Sequence, residues 1–260
     1  LILMFSLIFV SGLVYAVSSD LQATVEVVEL NDSDGDGYID EIDNINGDIN
    51  DVETNISLNF YVNGNLGQQF WNTSWDASPL VEFNDSGGVV SFEYDFSDNL
   101  DLTSIRIEEW KNSSLGGLVM GGIDLASQNR NKTVFVDRIS GEDRLCVLDK
   151  EIDAIEDCTT GKIIDCPSIG NYSCQVVMNN TKYKVSGLTH SGVREVLKGD
   201  VRHDCVVNIF DLARVGLCYE CSEGKQCWQD SGCWKADLSR NDVVGIFDLA
   251  TVGQNYDKVC

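Results

Sequence analysis

Between residue 21 and about residue 187, apolar and polar residues alternate in short runs separated by clusters of Asn, Asp, Gly and Ser. Ala23–Leu30, Asn55–Val62, Gly88–Phe96, Thr103–Trp110 and Thr133–Ile139 are runs of this kind, rich in Val, Ile, Phe and Tyr. A period of two places one face of a strand in a core and the other in water. No stretch of ten or more residues before residue 190 carries the spacing of an amphipathic helix. The pattern predicts a mainly β protein built from one or two Ig-like β-sandwich modules. A boundary is expected near residue 141, at Ser140-Gly141-Glu142-Asp143, dividing a sandwich-like domain (17–140) from a small disulfide-bonded β module (141–195).

Residues 1–16 break the pattern with an uncharged apolar run ending in Val14-Tyr15-Ala16. It reads as the apolar and cleavage regions of a secretory signal peptide whose basic start is cut off. A clipped membrane anchor is the competing reading. Both place the rest of the chain outside the cytoplasm, without membrane insertion once a signal is removed.

The ten cysteines all lie between Cys146 and Cys260, four up to Cys174 and six from Cys205. Even numbers in each group of an exported chain imply two disulfide frameworks; Cys218, Cys221, Cys227 and Cys233 have a zinc site as rival. Eight Asn-x-Ser/Thr sequons start between Asn31 and Asn179, and none follows. Tyr183–Val193, which contains His190, resembles part of a small disulfide-bonded β module of secreted archaeal surface proteins.

Charge narrows the partners. The chain of 260 residues carries 42 acidic against 18 basic residues, and no Lys or Arg precedes Arg106. A formal charge of -24 without a basic patch excludes nucleic acid and anionic lipid surfaces.

Part of that acid is patterned. Asp32, Asp34, Asp36, Asp40 and Asp43 fall at positions 1, 3, 5, 9 and 12 of a loop, with Gly37 at the turn and the Tyr38 carbonyl at position 7. This is an oxygen cage suited to Ca²⁺. The segment resembles the calcium repeats of the thrombospondin type 3 kind and the loop of an EF-hand, and Asp rather than Glu at position 12 suits the former.

Two further loops repeat at an offset of 37 residues: Asp200–Gly216 and Asp237–Gly253 share Ile-Phe-Asp-Leu-Ala and a final Val-Gly. Paired loop-and-helix units of this form resemble a dockerin domain, which implies a small α-helical, calcium-binding C-terminal domain over 196–260. The resemblance implies metal ligands at Asp200, Asp204, Asn208, Asp211 and the Val206 carbonyl in the first loop. In the second it implies Asp237, Ser239, Asn241, Asp248 and the Val243 carbonyl. Arg202 at a liganding position, Cys205 and Asp242 at the turn glycine, and Gly245 depart from the family pattern, so the first loop is expected to lean on a disulfide from Cys205. The insertion 217–236 between the repeats is expected to be a stapled loop.

Dockerins bind cohesin domains through loop positions 10 and 11, here Ile209-Phe210 and Ile246-Phe247, which implies a cohesin-like partner. The alternative is that these four residues form the core between two short helices. The resulting expectation is a secreted or surface-displayed, non-catalytic, calcium-binding protein. Its alternatives are a carbohydrate-binding component using Trp71, Trp75 or Trp110, or a glycoside hydrolase drawing a carboxylate pair from Glu82, Glu93, Glu108 or Glu109.

Overall fold

A computed structural model of the chain describes residues 9–10, 13–14, 32, 43–67, 78–85, 87–152 and 160–260. The strands in chain order are β1 (Phe9–Val10), β2 (Leu13–Val14), β3 (Ile45–Asn46), β4 (Glu53–Thr54), β5 (Asn59–Val62), β6 (Asn65–Leu66), β7 (Leu80–Asn84), β8 (Val90–Glu93) and β9 (Leu100–Asp101). They continue as β10 (Arg106–Lys111), β11 (Gly116–Gly121), β12 (Lys132–Asp137), β13 (Arg144–Val147), β14 (Lys162–Asp165), β15 (Ser173–Val177), β16 (Lys182–Leu188) and β17 (Ser191–Glu195). Helices α1 (Ile209–Leu217), α2 (Gln226–Asp230) and α3 (Ile246–Gln254) follow.

Two sheets form a sandwich, one ordered β14-β13-β17-β11-β10-β4 and the other β15-β16-β12-β8-β7-β5-β6. The predicted alternation sets its faces. Across the second sheet, Phe60, Phe83, Val90, Val134, Val185 and Cys174 stand in register and are all buried. One residue along each strand, Tyr61, Glu82, Ser91, Thr133, Ser186 and Ser173 form a polar row on the opposite face. The buried row meets Ile107, Leu118, Met120, Leu145 and Val193 of the first sheet in one core.

The expected boundary at residue 141 does not separate two folding units. Strands β13, β14 and β17 complete one sheet and β15 and β16 the other, so residues 144–195 belong to the same sandwich as β4–β12. The buried carboxylate of Glu195 fastens the join, accepting hydrogen bonds from the backbone N–H groups of Gly116, Ile139 and Ser140. Gly116 is required there, because a Cβ would stand 2.1 Å from the Asp137 carbonyl oxygen. Cys166–Cys174 ties the β14 edge of one sheet to the β15 edge of the other.

Strand β11, Gly-Gly-Leu-Val-Met-Gly, carries no alternation because both its faces are covered. Beside it, the outer side of β17 meets the helical tail through Arg194. Leu115, at the β10–β11 turn, joins the tail core of Val207, Val215, Trp228, Val244 and Val252. Arg194 on β17 is buried, with Gly117 on β11 leaving room for its stem; a Cβ at Gly117 would lie 3.0 Å from that of Arg194. The C-terminal domain is therefore packed on the sandwich through Leu115 and Arg194.

Several expectations fall outside the described residues: the strand Ala23–Leu30, the loop positions Asp34, Asp36, Tyr38 and Asp40, Trp71, Trp75, and most of the run 1–16. Within it, β1 and β2 pair with each other. No helix among the described residues is long and apolar enough to cross a membrane.

Candidate metal centre

The repeat at Asp200 and Asp237 produces two loops with matching internal bonds, except that the Val201 N–H to Asp211 has no counterpart at Leu238. In the first, Asp200 receives the N–H groups of Asp204 at 3.1 Å and Cys205 at 2.8 Å. In the second, Asp237 receives those of Asn241 at 3.2 Å and Asp242 at 2.9 Å. At the far end Asp211 accepts from Val201, Arg202 and Asn208, and Asp248 accepts from Ser239 and Gly245. Each terminal aspartate thereby closes its loop and caps the helix that follows, α1 or α3. The residues at positions 4 and 6 are left-handed in both loops, with φ of 59° at His203, 69° at Cys205, 56° at Arg240 and 63° at Asp242. The expected turn without glycine is thus made by Cys in one loop and Asp in the other.

These bonds draw carboxylates together. Asp200, Asp204 and Asp211 each bring an oxygen within 4.8 Å of the others, and Asp200 and Asp211 are buried. Burial pushes the Asp200 carboxyl up to about 6 against the pull of the Cys205 N–H, and the neighbouring Asp211 charge raises it further. A carboxylate retains acceptor sites after taking two or three N–H bonds, so a cation would still find ligands here. The donor set also fits in the second loop, where Asp237 and Asp248 are buried and the Ser239 hydroxyl lies 3.3 Å from Asp237. Among the described residues no backbone donor reaches the carbonyl of Val206 or Val243, leaving each position-7 oxygen available.

Differences lie between the loop ends. Arg202 turns outward, pairing with Asp204 at 3.0 Å and stacking 5.1 Å over the Phe210 ring. Asn208 caps α1 by accepting from the Phe210 N–H at 2.8 Å; Gly245 has no side chain with which to cap α3. Of the N-terminal loop, Asp32 is exposed while Asp43 is buried and accepts from the Ile45 N–H at 2.9 Å.

The repeat is longer than the sequence match. Segment 220–223 after α1 bonds to the second loop through Glu220 to Val244, Val244 to Cys221 and Glu223 to Asp242. Segment 257–260 after α3 bonds to the first loop through Asp257 to Val207, Val207 to Lys258 and Cys260 to Cys205. Both segments begin with a left-handed residue, Glu220 at φ 62° and Asp257 at φ 63°, again 37 positions apart. Cys205–Cys260 staples the first exchange, whereas Asp242 and Glu223 face each other in the second.

The other cysteines form disulfides, which excludes the zinc reading for the insertion: Cys218–Cys233 and Cys221–Cys227. Cys146 is disulfide-bonded as well.

Charged side chains of the sandwich reach both loops, a contribution with no signal in the local sequence. Arg194 donates to the sulfurs of Cys205 and Cys260. Arg144 on β13 donates to the Asp237 carbonyl at 2.9 Å, Arg240 donates to the Glu142 carbonyl, and Lys198 pairs with Glu142 at 2.7 Å. Burial, reinforced by Lys235, Arg144 and Arg194, pushes the His203 imidazole down to about 4 and keeps it neutral.

Ile209, Phe210, Ile246 and Phe247 are 57% to 69% exposed, so they do not form the core between the helices. Val215 and Val252 do, with Leu212 and Leu249 beside them. Of the four acids considered for catalysis, Glu93 pairs with Arg130, Glu108 with Arg106 and Glu109 with Lys182, and Glu82 stands in the polar row of the second sheet. Trp110 lies on β10, partly exposed, and the His190 N–H donates to Asp149 at 2.6 Å.

Comparison with family models, with curated proteins and with solved structures gives no match.

Proposed function

We propose that this is a secreted or cell-surface, non-catalytic calcium-binding protein whose C-terminal domain is a dockerin-like module for calcium-dependent docking to a cohesin-like partner. The observation that carries this reading is the paired construction of the two loops. Each buries a first and a twelfth aspartate, makes left-handed turns at positions 4 and 6, and leads into a helix whose first two residues are an exposed Ile-Phe pair. Solvated acidic turns need none of this, because buried carboxylates without a cation are costly. The disulfides accord with an extracellular setting.

In this mechanism Ca²⁺ takes the place of repulsion between Asp200, Asp204 and Asp211, and between Asp237 and Asp248. The ion would be held by Asp200, Asp204, Asn208, Asp211 and the Val206 carbonyl in one loop. In the other it would be held by Asp237, Ser239, Asn241, Asp248 and the Val243 carbonyl. Filling the loops fixes the helix starts and with them the two Ile-Phe pairs. The N-terminal positions Asp32 to Asp43 would add a third site.

Calorimetric titration of the full chain with Ca²⁺ tests the reading, coupled to capture of a cohesin domain with and without EGTA. Three ions bound and EGTA-sensitive capture are expected. No calcium uptake, or capture that ignores the chelator, refutes it.

A further inference from the structure

The polar face of the seven-stranded sheet has no part in the docking mechanism. Its central row, Tyr61, Glu82, Ser91, Thr133, Ser186 and Ser173, crosses six strands and spans roughly 24 Å at the usual ~4.8 Å strand spacing. Beside this row lies a recess of about 250 Å³ lined by Glu82, Asn84, Ser91, Phe135 and Met178. Gly87 and Gly88 line it as well. Gly88 is left-handed (φ +76°), and a Cβ there would lie 3.3 Å from the Phe135 ring, so the ring rests against bare backbone.

We propose that this recess binds a neutral carbohydrate chain, with Phe135 as the apolar platform and Glu82, Asn84 and Ser91 as its hydrogen-bonding groups. Among the described residues the Glu82 carboxylate has neither an ion-pair partner nor a hydrogen-bond donor, and it offers two acceptor oxygens for vicinal hydroxyls. Asn84 spends its carbonyl on the Gly88 N–H at 2.9 Å, which leaves its amide N–H₂ to donate outward. Thr133 and Ser186 are already paired at 2.8 Å and extend the hydroxyl row beyond the recess.

The occupant follows from what the face lacks. Backbone groups of these central strands are consumed within the sheet, so an extended peptide has no edge to join. An anionic glycan would meet Glu82 and the overall charge of -24. A polyhydroxylated, uncharged ring satisfies both the polar groups and the aromatic surface. This inference does not rest on the calcium reading.

The test is affinity electrophoresis of the full chain in native gels containing hydroxyethylcellulose, galactomannan or arabinoxylan, with polygalacturonate as the anionic control. Because Asn84 heads a sequon, the protein is produced in a host that attaches no N-glycans. At least one neutral polymer is expected to retard the chain. Phe135→Ala should abolish the retardation, and Glu82→Gln, a half-buried isosteric change that leaves the fold intact, should weaken it by about tenfold. Absence of retardation by all three neutral polymers, retardation by polygalacturonate alone, retardation that survives Phe135→Ala, or retardation that Glu82→Gln leaves unchanged, each in a protein with native circular dichroism, would overturn the proposal.

Discussion

The loop that begins at Asp200 and the loop that begins at Asp237 make closely matching backbone bonds although their residues differ at six places, among them Arg202 against Ser239, Asp204 against Asn241, Cys205 against Asp242 and Asn208 against Gly245. What they share is the buried first and twelfth aspartates and a left-handed turn. Loop shape is thus set at its ends and its bend, while the intervening residues differ in charge and in the donors and acceptors they offer. The first loop has three carboxylates, with the Arg202 side chain at position 3 turned outward onto Asp204 and Phe210; the second has two carboxylates, with a hydroxyl at Ser239 and an amide at Asn241.

The sharpest way to separate the loops is to remove the staple that only one of them has. Closing 55 residues, Cys205–Cys260 contributes about 4 kcal/mol on loop-entropy grounds. The double variant Cys205→Ala, Cys260→Ala should lose roughly that in chemical denaturation. Calorimetry on it should show calcium uptake at Asp237 retained and uptake at Asp200 weakened; equal losses at both would mean that the loops act as one.

Asp211→Ala and Asp248→Ala probe what the loops share. Each strips partners from backbone N–H groups beside a helix start and should cost about 3 kcal/mol. Thermal unfolding in EGTA is expected to show similar costs for the two, since the bonds made by Asp211 and Asp248 do not need the ion. A large cost in only one would break the equivalence of the repeats.

Exchanging the odd residue tests ligation more gently. Arg202→Asp should raise calcium affinity of the first loop about tenfold, or ~1.4 kcal/mol, and Ser239→Arg should lower that of the second. Titration of both variants reads the two changes directly.

The pH dependence distinguishes bare from filled loops. With the Asp200 pKa raised to about 6 above its ordinary 3.8, the metal-free folded chain holds a proton that the unfolded chain releases. This group's contribution to stability therefore falls as pH rises from 3.8 to about 6 and is level above. On the proposed calcium reading the ion takes the ionised form, so the gap in melting temperature between calcium and EGTA should widen from about pH 5 to about pH 7. Asp200→Asn should flatten the part of that widening due to the first loop.

The smallest effect should come from Gly245→Asn. The backbone at Gly245 is extended, and a Cβ would meet nothing within 4 Å. An Asn there would cap α3 as Asn208 caps α1, for a gain of a few tenths of a kcal/mol. A loss instead would show that α3 starts differently from α1.

Much of this was legible beforehand because it is local. Period-two alternation marks β12 and the core of β8, and the 37-residue offset marks α1 and α3. Strand β11 escaped, because a strand covered on both sides has no polar face to alternate with. The false boundary at residue 141 arose from a turn-rich stretch that joins two halves of the same sheets. Arg144 and Arg194 escaped as well, since their partners in the tail lie far along the chain. The outer part of the repeat left only Tyr219 and Tyr256, each followed by an acid, as its trace in the sequence.

That outer part also changes how the tail is to be counted. Each repeat lends its last segment to the other repeat's loop, 220–223 to the second and 257–260 to the first. Such reciprocal exchange is the geometry of an isologous, segment-swapped dimer drawn on a single chain. One repeat by itself is half of this arrangement: its loop has its own aspartates but takes the segment that backs it from the other copy. The C-terminal module therefore has the arrangement of two copies joined end to end, with one disulfide across one of its two equivalent seams.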